Sequence, residues 1–263
     1  MEVNNTRPRL RVDNLSVFFD GLHAVADLSL SIPARCIVAL IGPNGAGKTT
    51  LFNLICGYLP ANSGSIAVDN VEVTKKRPER IAQLGVGRSF QDCKVFEQMS
   101  VLDNVLLGMR DSKSETISSA ILQRQSLRKG QENRLELAIK LLRETGLESK
   151  SSSLACDLSY GQRKLLELCR VRAFKPLIYL LDEPFSGLFP DTATAMAKII
   201  QGLREEGKTV VFIEHDMQAV ANISDRVVVL DFGRKIADGA PDEVLNDPVV
   251  LDTYLRRVAH DAT

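Results

Sequence analysis

Ile37-Val-Ala-Leu-Ile41, then Gly42-Pro-Asn-Gly-Ala-Gly47-Lys48-Thr49-Thr50, then Leu51-Phe-Asn-Leu-Ile-Cys56 is the stretch that decides the fold. A continuous apolar run, Cys36–Ile41, suits a strand buried on both faces, and Ile37–Leu40 is its centre. The glycines break the pattern, and an apolar helix resumes it. The loop has the form G-x-x-x-x-G-K-[ST] between strand and helix, the arrangement that binds phosphate. Glycines let successive backbone N–H groups turn toward phosphate oxygens, Lys48 supplies a point charge to the β- and γ-phosphates, and Thr49 offers a hydroxyl to Mg²⁺. The helix N-terminus adds partial positive charge. A chance glycine-rich turn would lack these flanks. Asn44, Gly45, Ala46, Gly47, Lys48, Thr49 and Thr50 are therefore the candidate nucleotide-binding residues.

Outward from that loop the periodicity is mostly that of strands. Leu28, Leu30 and Ile32 alternate with Ser29 and Ser31, and Ile66 and Val68, then Val71 and Val73, flank the turn pair Asp69-Asn70. Residues 10–75 are expected to form antiparallel strands around the buried one. From Ser100 to Leu147 the pattern turns helical: Ser100 with Asp103 resembles a capping box, and Leu135, Ala138, Ile139 and Leu142 mark one face before Gly146. Residues 111–134, rich in Ser, Gln and charge, read as an exposed excursion, and Lys150 to Ser153 as a surface loop. Two more apolar runs, Leu177–Leu181 and Val210–Ile213, are separated by a helical pattern through Met196, Ile199, Ile200 and Leu203. Strand, helix, strand predicts a parallel sheet covered on both faces. Val227–Leu230 and Arg234–Ala237 flank Asp231-Phe-Gly233 as a hairpin. The class is α/β, with a parallel core sheet, an antiparallel β subdomain and a helical subdomain.

Composition narrows the setting. A chain of 263 residues has ample length for a real core. Its five cysteines show no C-x-x-C pair, which argues against a disulfide framework or a zinc site and fits a reducing cytoplasm. Lys plus Arg and Asp plus Glu are 33 each, so the whole-chain field that gathers nucleic acid is missing, and no nucleic-acid partner is expected. No apolar run approaches the ~20 residues of a membrane span. Met1 to Arg11 is polar and lacks the apolar segment of a secretory signal. Work at a membrane would need another chain as anchor.

Further along, Ile178-Tyr-Leu-Leu-Asp182-Glu183-Pro184 ends a buried strand in two carboxylates, at the strand end where open α/β sheets bind ligands. Alone this could be a solvated acidic turn. Beside the loop above, Asp182 is a candidate Mg²⁺ holder through water, and Glu183 a candidate general base for the attacking water. Leu158-Ser159-Tyr160-Gly161-Gln162 precedes a helix carrying Leu165, Leu166, Leu168 and Cys169. Ser159 is a good N-cap, Gly161 permits close backbone approach, and the helix start attracts anions.

In that order, these motifs resemble the ATP-binding cassette (ABC) ATPases over roughly residues 8–240, with 241–263 as a C-terminal helical tail. The resemblance implies a phosphate-loop ABC ATPase fold with a helical subdomain near residues 92–170. It implies that ATP is held by the loop and, across a head-to-tail dimer, by Ser159, Gly161 and Gln162 of the facing subunit. Gln91, in Gly87-Arg-Ser-Phe-Gln91, matches the glutamine that touches Mg²⁺ and water; with Thr49 and Asp182 it forms the implied metal set. His215, in Phe212-Ile-Glu-His215-Asp-Met, matches the histidine that contacts the γ-phosphate, so Glu183, His215 and Gln91 are the implied catalytic residues. Phe19 looks like the aromatic that stacks on adenine, with Phe18 as competitor and a core phenylalanine as the plainer reading.

Within the family, the chain is similar to the longer-form ATPases of branched-chain, or hydrophobic, amino acid importers. Leu158-Ser-Tyr-Gly-Gln162, Ile213-Glu-His-Asp-Met217 and the tail through Asp247-Pro248 and Tyr254-Leu255 carry that similarity. Urea-importer and lipopolysaccharide-exporter ATPases are near relatives. The implied partners are integral membrane permease subunits and a second ABC ATPase, identical or different, at the cytoplasmic face of the inner membrane. A soluble ABC ATPase acting on nucleic acid would be expected to carry a long coiled-coil insertion or a second ATPase domain. A kinase or GTPase would not account for Ser159–Gln162. Two places depart from the family pattern: Ala34-Arg35-Cys36 replaces the usual Gly-Glu turn as a neutral surface variation, and Phe189 stands where Asp or Asn is usual, its apolar surface expected to be buried by another chain.

Overall fold

The computed structural model describes residues 8–19, 21–109 and 124–260. In chain order the elements are β1 (Pro8–Phe19), β2 (Leu22–Pro33), β3 (Ile37–Ile41), α1 (Lys48–Ile55), β4 (Ser63–Val68), β5 (Val71–Glu72), α2 (Pro78–Gln83), β6 (Val86–Arg88), α3 (Val101–Gly108) and α4 (Arg124–Glu144). They continue with α5 (Tyr160–Ala173), β7 (Ile178–Asp182), α6 (Pro190–Glu205), β8 (Thr209–Ile213), α7 (Met217–Ile223), β9 (Arg226–Asp231), β10 (Arg234–Gly239), α8 (Pro241–Leu245) and α9 (Pro248–His260). They form two compact units: one of Met1–Gln91, Pro176–Ser186 and Ile200–Thr263, the other of Asp92–Lys175 and Gly187–Ile199.

The first unit holds both sheets. One is antiparallel, in the order β2-β1-β4-β5; the other runs β10-β9-β3-β8-β7-β6 and is parallel except for β10. β3 corrects the sequence reading. Antiparallel strands were expected around it, yet it pairs parallel with β8 on one side and β9 on the other. All residues of β3, β7 and β8 are buried, as suits strands covered on both faces. Leu51, Phe52, Leu54 and Ile55 of α1 join Leu10, Val12 and Leu28 of the antiparallel sheet and Val38, Leu40 and Leu180 of the parallel sheet in one core. Each such side chain contributes about 1.5–3 kcal/mol on burial. The core thereby clamps α1, and with it the loop that precedes it.

The second unit is built on α3, α4 and α5, which pack on one another. Ser100 caps α3, its Oγ accepting from Asp103 N at 3.0 Å. α4 begins at Arg124, so residues 124–134 are helical, against the expected excursion; the rest of that expectation, residues 111–123, lies outside the described residues. A polar helix start carries no apolar period for sequence reading to find. The predicted face of α4 is also narrower than expected: Ala138 and Leu142 are buried, whereas Leu135 is exposed.

Candidate active site

The sheet-bearing unit opens a cleft of about 440 Å³ at the β3–α1 loop, lined by His23, Ala24, Asn44 to Thr50, Gln91, Glu183, Ile213, His215 and Phe232. Strand β3 ends at Ile41 and the chain turns tightly. Gly47, at φ 97°, is the N-cap of α1, and a Cβ there would lie 2.2 Å from the Ala24 carbonyl oxygen. No side chain caps this helix, and its first internal bond runs from Leu51 N to Gly47 O at 2.8 Å. A helix N-terminus without a side-chain cap suits an anion. Lys48 is buried, and its Nζ donates to the Gly42 and Pro43 carbonyls at 2.7 and 2.9 Å. The ammonium is thus stored against the loop it would serve.

Glu183 and His215 come from the ends of the neighbouring strands β7 and β8 and meet, Glu183 Oε1 lying 3.2 Å from His215 Nε2. Glu183 sits at φ 50°, a left-handed backbone that costs a non-glycine residue of order 1–3 kcal/mol and clusters at functional sites. Its own N–H donates to Ile213 O at 3.0 Å, which helps hold that geometry. Glu214, 2% exposed, ties both segments together: Oε1 accepts from Phe185 N at 2.7 Å and Oε2 from His215 N at 3.1 Å. Sequence reading passed over Glu214, His23, Ala24 and Phe232. Glu214 lay inside a quoted motif, and Phe232 in a stretch read only as a turn.

Asp182 does not line the cleft. It is buried behind Glu183, its N–H donating to Ser89 Oγ at 3.2 Å and its Oδ2 lying 3.4 Å from Arg88 Nη2. Burial pushes its carboxyl above the ordinary range, and Arg88 opposes that rise. Thr49, Gln91 and Asp182 offer only hard oxygen donors, which suits Mg²⁺. Among the described residues no cluster of three His, Cys, Asp or Glu forms a protein cage. The donor set therefore fits a cation that keeps waters and arrives with phosphates. Phe19 is 46% exposed and absent from the cleft lining; Phe18 touches His23, which does line it, with ring centroids 5.5 Å apart. Ser159, Gly161 and Gln162 belong to the helical unit, where they open α5.

Residues 25–186 match the ABC transporter family profile, and residues 234–255 match that of the branched-chain amino acid ATP-binding cassette transporter. The chain belongs to the ABC transporter ATP-binding family. It is 37% identical over 251 residues to the high-affinity branched-chain amino acid transport ATP-binding protein LivG of Salmonella typhimurium, covering 95% of this chain and 98% of the relative. It is 36% identical over 251 residues to BraF of Pseudomonas aeruginosa, with the same coverage. Among solved structures, the ADP conformation of an ABC transporter cassette superposes with a TM-score of 0.82 at 31% identity, covering 95% of this chain and 99% of that one. A nucleotide-free cassette gives 0.81 at 31% identity, covering 94% and 98%. ABC ATP-binding subunits bind ATP and hydrolyse it to power transport, and this chain is such a subunit. The fold class read from the sequence is thus the observed one.

Proposed function

We propose that this chain powers uptake of branched-chain or other hydrophobic amino acids as the ATPase subunit of an importer. The observation that carries the catalytic half is the meeting of Asn44 to Thr50, Gln91, Glu183 and His215 around one cleft. The roles of LivG and BraF in high-affinity branched-chain amino acid transport, and the match of residues 234–255, support the substrate class.

In this reading the backbone of Asn44 to Gly47 and the side chains of Lys48, Thr49 and Thr50 take the phosphates. Lys48 exchanges its two loop carbonyls for phosphate oxygens. Thr49, Gln91 and Asp182, the last through water, would hold Mg²⁺, which when bound neutralises phosphate charge. Glu183 accepts a proton from the attacking water, and His215, held 3.2 Å from it, contacts the terminal phosphate and fixes the carboxylate's direction. Phe19, or Phe18 backed by His23, stacks on the base. Ser159, Gly161 and Gln162 close over the nucleotide of a facing ATPase, identical or different, beside which Phe189, 81% exposed, is covered. Residues 8–240 are the ATPase domain, with its helical part near 92–170, and 241–263 the tail. Among the described residues no helix is long and apolar enough to cross a membrane, so integral permease subunits would hold the chain at the cytoplasmic face of the inner membrane.

The test is to extract the complex in mild detergent, identify the co-purifying membrane chains and reconstitute them with this subunit in vesicles. ATP should then drive accumulation of leucine, isoleucine or valine. Uptake of urea instead, or no amino acid uptake by a complex that hydrolyses ATP, would overturn the assignment.

A further inference from the structure

Arg88 ends β6, two residues before Phe90 and three before Gln91, and its side chain turns inward. The guanidinium is 5% exposed and lies over three aromatic rings, 5.1 Å from the Phe90 centroid, 5.7 Å from Phe52 and 5.8 Å from Tyr58. Nη1 donates to Asn53 Oδ1 of α1 at 2.6 Å, and Nη2 reaches Asp182 Oδ2 of β7 at only 3.4 Å. Its Nε is buried with no hydrogen-bond partner among the described residues.

Arg226 gives a measure of what a settled ion pair looks like in this same unit. It meets Asp238 with both fork nitrogens, at 2.6 and 2.8 Å. Bidentate pairs of that kind are the strong ones. Arg88 instead makes one long contact to its carboxylate and spends its better bond on Asn53. It supplies positive charge to a 2%-exposed carboxylate without binding it firmly, and its strand leads directly into Gln91. A buried carboxylate needs a compensating charge. A divalent cation arriving beside Asp182 would supply that charge and repel the guanidinium.

Resting on the reading of Asp182 as a metal-side carboxylate, we propose that Arg88 is a resident counter-cation. It neutralises Asp182 in the metal-free chain, gives way when Mg²⁺ enters with the nucleotide, and carries that exchange to Phe90 and Gln91. Arg88 is a positioning residue in this scheme, acting through Asp182 and touching no substrate.

The test titrates Mg²⁺ at saturating ADP and reads the thermal stabilisation of the full chain. Arg88→Met should lower the half-saturating Mg²⁺ concentration about three- to tenfold, the scale of one partly screened charge, while Arg88→Lys, which keeps the charge, stays within about twofold. Asp182→Asn separates the two ideas. If it leaves the Mg²⁺ requirement unchanged, the metal-side reading of Asp182 fails. If it raises the requirement while Arg88→Met leaves it unmoved or raises it too, Arg88 is a structural support and the counter-cation proposal is overturned. A second readout covers an unstable Arg88→Met. The chain has no tryptophan, so Phe90→Trp gives a single reporter against Arg88. Adding Mg²⁺ to the ADP-saturated protein must change its emission, and Asp182→Asn must abolish that change. Emission indifferent to Mg²⁺ overturns the proposal.

Discussion

The N-termini of α1 and α5 both carry the residues that attract an anion, yet they are finished differently. α1 starts from Gly47 with no side-chain cap, and its first-turn residues Lys48, Thr49 and Thr50 line the cleft. α5 starts from Ser159 with a closed capping box: Ser159 Oγ accepts from Gln162 N at 3.3 Å, and Gln162 Oε1 accepts from Ser159 N at 3.1 Å. One helix start carries no side-chain cap and leaves that end open to an anion. The other is complete by itself, so an anion must compete with a cap that already satisfies two of its donors. Under the proposed function, the difference makes α1 the primary seat for nucleotide on a lone chain and gives the α5 end to a second step.

The largest effect expected from that division is on turnover. Glu183→Gln should bind ATP as well as the unaltered chain and lose about 10²–10⁴ in hydrolysis rate, the usual range for a positioned general base. Wild-type turnover in this variant would remove Glu183 from its role. Next in size, Lys48→Ala should weaken ATP binding about 10²-fold, for two charge-assisted contacts at about 1.5 kcal/mol each. Calorimetric titration would show this, and an unfolded variant by circular dichroism would contradict the purely local effect. The smallest and sharpest is Ser159→Ala. Loss of the cap should cost about 1 kcal/mol in denaturant unfolding and leave the ATP affinity of the isolated chain unchanged. Binding weakened as much as by Lys48→Ala would erase the contrast between the two helix ends.

Much of this was legible in the residues. The β3–loop–α1 segment, the strand ending in Asp182 and Glu183 and the β9–β10 hairpin were found from runs, alternation and turn residues, because each is defined by its own neighbours in sequence. What escaped depends on partners far away. Its apolar run marked β3 as covered on both faces, but such a run does not name the strand beside it, and the neighbours expected around β3 were antiparallel where β8 and β9 run parallel. Residues 124–134 were read as an excursion because a polar helix start shows no apolar stripe. Glu214 and Arg88 looked like ordinary charges. Their roles come from Phe185 N at 2.7 Å and from Asn53 and Asp182, contacts that no local pattern encodes.

The position of β3 also bears on how the protein is made. Synthesis delivers β3 by residue 41, but its two neighbours are Thr209–Ile213 and Arg226–Asp231, so both of its edges stay bare until those much later strands have been made. Such unpaired apolar edges are sticky, and pairings this remote in sequence form slowly. Gly42 is bound to the same timetable, because the β9 carbonyl of Leu230 closes over it, 2.1 Å from where a Cβ would stand. The loop that follows β3 therefore matures only once β8 and β9 exist, long after its own residues have been translated.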